Sequence, residues 1–466
     1  MSTDEFDVIV IGGGPAGEVA AGRLAQRGHR TALVEEHLVG GECSFYACMP
    51  SKALLRPNEL LAETRRVPGV RETVTGELDV GAVLRRRDEV IHELDDSGQL
   101  PWLEDRDITL VRGHGRLDGE RRVRAGDRTL HAREAVIIAT GSSALMPPLP
   151  GLAEARPWTN REAATSSRVP QRLLVLGGGV VGVELAQAYA SLGSSVTLVE
   201  GGPRVIAREE PFASEEVAVA LREHGVEIHT GVKVSVVDRA GDGGEVTLTL
   251  DGEPRSLIGD ELLVAVGRRP RTDDLGLDTI GLPGDRYLSV DDRLRVEGHP
   301  WLFAISDVNG RAPLTHMGKY QAPIASRVID GDEGARTSQA GPGSPRVIFT
   351  DPHVAAVGLT EAAAREAEID VLVISQPTAG TAGASFVGRN TAGTSQLIVD
   401  RARDVVVGAT FVGAEIAEFL HAATVAVVGE IPLGRLVHCV PAFPARSETW
   451  LTLLDAWEGA ASRNRP

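Results

Sequence analysis

Asp7-Val8-Ile9-Val10-Ile11-Gly12-Gly13-Gly14-Pro15-Ala16-Gly17 decides how the rest of the chain is read. The β-branched run ending at Ile11 reads as a strand buried on both faces, and the Ala-rich stretch up to Arg27 as a helix. Between them lies a glycine turn. Gly12 permits the tight turn, Gly14 lets backbone approach a pyrophosphate at the helix N-terminus, and Gly17 permits close helix–strand packing. The next strand, Arg30 to Val34, ends at Glu35, 23 positions after Gly12, where a carboxylate can accept from a ribose hydroxyl.

The same order returns downstream. Arg172 to Leu176 reads as a strand, Gly177, Gly179 and Gly182 as the turn, and a helix runs on to about Leu192. The strand Val196 to Val199 leads to Glu200, again 23 positions after the first glycine. One such turn is a weak signal. Two copies, each set between strand and helix and followed by an acid, predict two separate dinucleotide-binding domains. Glu200 would repel the 2′-phosphate of NADPH, so NADH is favoured; Arg204 and Arg208 just downstream leave NADPH open.

Between the two copies lies Gly40-Gly41-Glu42-Cys43-Ser44-Phe45-Tyr46-Ala47-Cys48-Met49-Pro50-Ser51-Lys52. Residues five apart on an ideal helix are too distant for a disulfide, but Gly40-Gly41 permits an irregular helix start. A helix N-terminus also lowers a thiol pKa. The plainer reading is two buried cysteines acting as small hydrophobes; beside a flavin-type glycine turn, a redox pair is the better one. With no histidine cluster nearby, the pair is a poor metal site, and no metal is expected. Lysine occurs only at Lys52, Lys233 and Lys319 in an arginine-dominated chain, and arginine substitutes poorly for a compact point charge.

The bulk properties narrow the class. A length of 466 residues points to two to four domains, and 42% hydrophobic residues suffice for their cores. A net charge of −17 argues against a nucleic-acid partner. No stretch reads as a membrane span; Ala422 to Val428 is short and flanked by His421 and Glu430. The acidic start Met1 to Glu5 does not read as a signal peptide, and three cysteines do not make a secreted scaffold, so the cytoplasm is expected. A charged helical segment is expected over about Ser51 to Gly98, a linker over Gly331 to Arg346, and alternating strands and a helix, capped by Thr360, over Val347 to Asp400. The tail Gly459 to Pro466 is expected to fray.

From Asp7 to about Trp457 the chain resembles the pyridine nucleotide–disulfide oxidoreductases. The resemblance is carried by Gly12 to Gly17 with Glu35, by the GGxCxxxxCxPSK run Gly40 to Lys52, by Ala139-Thr140-Gly141, by Gly177 to Glu184, and by Leu302 to Val308. In the last of these Ser306 stands where glycine is usual. Val347 to Glu361 is similar to the start of the family's dimerisation domain.

The fold implied is α/β, with two Rossmann-like domains for FAD and NAD(P) and a C-terminal α+β dimerisation domain. The FAD domain would comprise 1–150 and 271–335, the NAD(P) domain 151–270 and the interface domain 345–460. Gly12, Gly14, Gly17, Glu35, Gly41, Lys52, Gly115, Thr140, Gly141 and Asp307 would hold FAD, with Asp307 on the ribityl chain. Gly177, Gly179, Gly182, Glu200 and Gly267 would serve the second nucleotide. Cys48 would lie against the flavin as the charge-transfer thiolate, Cys43 would exchange with substrate, and Lys52 would sit near flavin N5, paired with Glu184. A homodimer sharing its active sites is implied, acting on a small-molecule thiol, disulfide or thiophilic substrate.

One element breaks the pattern. Disulfide-reducing members carry a His-Pro-Thr…Glu element whose histidine moves the thiol proton. Here the segment is Pro441-Ala442-Phe443-Pro444-Ala445-Arg446-Ser447-Glu448, with Phe443 at the histidine position. Phenylalanine carries no proton, and general acid–base catalysis typically contributes about 10²–10⁴-fold. His438, Cys439 and Glu448 are the candidates to replace it. If the flavin passed electrons directly to a quinone or another acceptor, the missing base would matter little, so a quinone reductase is the alternative. A flavin-fold subunit without turnover is disfavoured by the intact glycines, Lys52, Glu184 and both cysteines.

Overall fold

The computed structural model describes residues 3–241, 243–252, 256–338, 343–388, 391 and 393–463. Two compact units divide the chain: Met1–Pro50, Arg85–Leu145 and Gly267–Gly341 form one, and Ser51–Leu84, Met146–Val266 and Pro342–Pro466 the other.

In the first unit the strand Thr3–Ile11 lies between Thr31–Glu35 and Arg128–Ile138, parallel to both. Thr109–Arg112 extends the sheet on one side and His299–Ala304 on the other, again in parallel. Val8, Ile9 and Val10 are wholly buried, as a strand covered on both faces requires. The central strand begins at Thr3 rather than at Asp7, because Thr3 to Phe6 pair with Thr129 to Ala132. Ile11 is level with Val34 and Ile138, so the glycine turn leaves the sheet at its carboxyl edge, where open α/β sheets bind ligands. The helix Pro15–Gln26 buries Ala16, Gly17, Ala20, Ala21 and Gly22, small enough to let it pack closely, together with Leu24.

The second unit holds a parallel sheet in the order Glu227–Thr230, Ser195–Glu200, Arg172–Leu176 and Glu261–Val264. The helix Val180–Ser191 follows its glycine turn. The same unit carries a five-stranded antiparallel sheet from Arg346–Ile348 to Val405–Gly413, packed through Phe411 on Leu453 and Trp450 of the helix Thr449–Arg463. That helix runs to Arg463, so the tail expected to fray from Gly459 is helical as far as Arg463. Asn464 to Pro466 lie outside the described residues. Residues 331–338 of the expected linker form turns and irregular chain after the helix Thr315–Ile329, and 339–342 lie outside the described residues. The expected helical segment begins earlier, at Cys48, and divides into Cys48–Arg66 and Val80–Val90. Thr360 caps the helix Glu361–Glu366, accepting from Ala363 N at 3.2 Å. Among the described residues no helix is long and apolar enough to cross a membrane.

Candidate active site

The two glycine turns are built alike. Gly12 has φ +106° and Gly177 φ +109°, and a Cβ on either would lie 2.5 Å from a backbone oxygen, of Ala139 and Ala265 respectively. A Cβ on Gly17 or Gly182 would lie 1.9 Å from the oxygen of the first glycine of its own turn. Gly14 and Gly179 instead face open space at the start of their helices. Each turn therefore leaves one uncovered position at a helix N-terminus, the cradle a diphosphate fits. Each acidic residue is fixed against its turn. Glu35 accepts from Gly13 N at 2.6 Å and His37 N at 2.7 Å; Glu200 accepts from Gly178 N and Gly202 N, both at 2.6 Å. Arg204 spends its guanidinium on the carbonyls of Ala207 and Glu209, and Arg208 is exposed.

In the first unit a cleft of about 360 Å³ opens beside the turn, lined among others by Gly12, Glu35, His114, Gly115 and Thr140. Gly115 is there because a Cβ would lie 2.9 Å from methyl groups of Ile11 and Val34. A Cβ on Gly41, which has φ +60°, would lie 2.7 Å from Gly14 Cα, so the cysteine run is pressed against the turn. Asp307 accepts from Ser142 Oγ at 2.5 Å, next to Thr140 and Gly141. Ser306 has φ +73°, the left-handed region that glycine adopts most readily. Gly267 has φ +138° and its carbonyl accepts from Leu145 N at 2.9 Å. The open turn at a helix N-terminus and the fixed carboxylate together fit an adenine dinucleotide such as FAD.

The cysteines meet because the helix breaks between them. Gly41–Phe45 is a single short turn closed at Tyr46 (φ −132°, ψ −3°), and a new helix begins at Cys48. The Cys43 thiol hydrogen-bonds to Cys48. That bond, burial and the negative charge on Cys48 push the Cys43 pKa well above the ordinary thiol range. Thr315, at the start of the helix Thr315–Ile329, lies 3.5 Å from Cys48 Sγ, and the Lys319 ammonium one turn on partly offsets the rise. Burial pushes Glu18 up to about 7, with Lys319 opposing and Glu35 adding to the rise.

In the second unit Lys52 Nζ donates to Glu184 Oε2 at 2.7 Å, and Phe349 N donates to Glu184 Oε1 at 2.9 Å. The ammonium also sits 4.8 Å from the centroid of the Phe349 ring. Lys52 is about one-third exposed, whereas Glu184 is almost wholly covered. The carboxylate is therefore held from one side by a backbone amide and presented to the lysine on the other. Phe443 is 79% exposed, and His438 and Cys439 are exposed as well. Glu448 is buried, and its Oε1 accepts from Ala445 N at 2.7 Å and Gly383 N at 3.1 Å, so it braces the segment that carries Phe443. Among the described residues no group of three or more His, Cys, Asp or Glu is gathered to hold a metal ion.

Residues 6–322 match the pyridine nucleotide-disulphide oxidoreductase family, and 344–454 match that family's dimerisation domain. The chain belongs to the pyridine nucleotide-disulphide oxidoreductases. It is 32% identical to dihydrolipoyl dehydrogenase of Bacillus subtilis over 95% of this chain and 94% of that protein. It is 30% identical to mercuric reductase of Bacillus cereus over 93% of this chain and 68% of that protein. Among solved structures it is similar to a Cu(II) complex of the HOCl-induced flavoprotein disulfide reductase RclA from Escherichia coli. The TM-score is 0.85 and the identity 26%, over 98% of this chain and 99% of that one. The protein is accordingly an FAD-dependent, NAD(P)H-driven disulfide reductase with a dimerisation domain, and the quinone reductase alternative is not favoured.

Four residues, three in the first unit and one in the second, escaped the sequence reading. Phe349 left no local signal, since its contribution is a backbone amide and a ring face brought from a different sheet. Thr315 announces itself only as a helix start. Arg271, which also lines the cleft, and Ser142 sit beside recognised motifs, but nothing in their spacing shows what they touch.

Proposed function

We propose that the reduced Cys43–Cys48 pair delivers two electrons to a soft, thiophilic acceptor, with Cys43 as the exchanging thiol. Cys43 gives its proton to the Cys48 sulfur through the hydrogen bond they share, and the Cys43 thiolate engages the acceptor; the pair then closes to the disulfide as two electrons pass to one Hg(II), or one to each of two Cu(II) ions, and the Cys48 proton leaves to water. This internal transfer needs no histidine, which answers the presence of Phe443. Reducing an ordinary disulfide expels a thiolate that must be protonated, and an acid there typically contributes about 10²–10⁴-fold. A thiophilic metal ion expels no such group. The observation that carries this reading is the hydrogen-bonded Cys43–Cys48 pair beside Thr315, in a chain with Phe443 where a histidine is expected. The Cu(II) complex of RclA and the mercuric reductase similarity agree with it.

Bound FAD supplies the two-electron relay between nicotinamide and dithiol. Gly12, Gly14, Gly17, Glu35, Gly41, Gly115, Thr140, Gly141 and Asp307 would hold it. Gly177, Gly179, Gly182, Glu200 and Gly267 would hold the nicotinamide nucleotide. Glu200, with both carboxylate oxygens taken by backbone amides and Arg204 engaged elsewhere, favours NADH. Lys52, fixed by Glu184 and Phe349, keeps a positive charge one helical turn after Cys48. In a homodimer the exposed Phe443 of one protomer would cover the cysteine pair of its partner, and Glu448 would hold that segment in shape. The domain division 1–150 with 271–335, 151–270 and 345–460 is part of the same reading, as is a reducing, cytoplasmic setting for the dithiol.

The test compares acceptors on the purified holoenzyme. NADH oxidation with Cu(II) or Hg(II) should exceed that with lipoamide, and Cys43→Ser should abolish the metal-ion activity. Faster turnover of lipoamide than of either ion, or full metal-ion activity in Cys43→Ser, would overturn it.

A further inference from the structure

We infer that Glu42 is an internal counter-ion for the diphosphate site, holding Arg268 and Arg271 until the cofactor takes them over, and so restraining flavin affinity. Glu42 follows Gly41, whose absent Cβ would lie 2.7 Å from Gly14 Cα and 3.4 Å from Gly14 N. Its backbone therefore adjoins the turn whose open position receives a diphosphate. Its carboxylate bridges two guanidinium groups: Arg271 Nη2 donates to Oε2 at 3.2 Å, and Arg268 Nη2 lies 3.5 Å from Oε1. Both distances exceed the roughly 2.7–2.9 Å of a tight charge-assisted bond. The three side chains are 19%, 26% and 34% exposed, so an entering anion can reach them.

The arginines are held from behind by other groups. Arg271 N donates to Gly141 O at 3.1 Å, and its carbonyl accepts from Thr140 Oγ1 at 2.9 Å. Arg268 donates through Nε to Ser142 Oγ and through Nη2 to Ser142 O, both at 2.8 Å. Ser142 in turn donates to Asp307. Arg271 lines the same cleft as Gly12, Glu35 and Thr140. A planar guanidinium prefers the two-point geometry of a phosphate, and a diphosphate brings more charge than one carboxylate. Once it is bound, Glu42 is left as a like charge at its edge. The chain thus carries two cations for the diphosphate and one anion that competes for them.

The inference concerns the flavin site, not the acceptor that is reduced, and its test reads binding alone. FAD release from the full-length holoenzyme and rebinding to the stripped protein are followed by flavin fluorescence. Glu42→Gln should bind FAD about fivefold more tightly, the size of one partly screened charge pair. Arg271→Gln should weaken binding, and by more in the Glu42→Gln background, where no competitor masks its contribution. The gain from Glu42→Gln should shrink as salt rises. Glu42→Thr, a shorter neutral side chain, should repeat the gain if the glutamine variant folds poorly. Unchanged or weaker FAD binding in the folded variants, or a gain independent of salt, would overturn the inference.

Discussion

Replacing Cys48 by serine should make the Cys43 thiol easier to ionise. In the intact pair Cys43 hydrogen-bonds to the Cys48 sulfur, and that bond, burial and the Cys48 charge raise its pKa. Serine removes the charged acceptor and leaves burial in place. A hydrogen bond to a charged group contributes about 1.5–3 kcal/mol. At about 1.4 kcal/mol per pKa unit, the Cys43 titration should move down by about one to two units. Thiolate, not thiol, reacts with iodoacetamide. At a pH below both midpoints, alkylation of Cys43 should therefore be about ten- to a hundredfold faster in Cys48→Ser than in the reduced wild type. Peptide mass spectrometry after anaerobic labelling assigns the reacting cysteine, so labelling at Cys48 does not confuse the comparison. Thr315→Val should act in the opposite direction, because the Thr315 hydroxyl lowers the Cys43 pKa. An alkylation profile for Cys43 that is unchanged or shifted upward in Cys48→Ser would refute the coupling of the two thiols and the mechanism built on it.

Glu18 should make the stripped protein less stable as pH rises. Its pKa is raised to about 7 in the fold, above its value of about 4.3 in an unfolded chain, so between these values the fold binds the extra proton and stability falls with increasing pH. Glu18→Gln should flatten that fall in urea titrations at several pH values; equal pH slopes would count against it. Ser306→Val should be less stable than Ser306→Gly by about 1–2 kcal/mol, because a β-branched residue resists φ +73°. Chemical denaturation followed by intrinsic fluorescence would show the order, and a valine variant as stable as the glycine variant would refute the strain. Glu448→Ala should cost about 1–3 kcal/mol by stranding the Gly383 and Ala445 amides. Faster hydrogen exchange at those two amides would report it, and unchanged exchange would sink the bracing role.

The sequence by itself determined both nucleotide turns, because their requirements are local: a positive φ at Gly12 and Gly177, no room for a Cβ at Gly17 and Gly182, and an acid a fixed distance on. It also exposed the cysteine run, the rarity of Lys52 and the phenylalanine in place of the expected histidine, since each is legible as a residue type at a spacing. Only the tertiary structure decided what those groups meet. Lys52 and Glu184 are 132 positions apart, and Phe349 lies 165 from Glu184. Arg271 reaches Glu42 across 229 positions and Thr315 reaches Cys48 across 267. Hydrogen bonds over such separations impose no periodicity on the chain. They are set by which sheet edge and helix end the fold brings together.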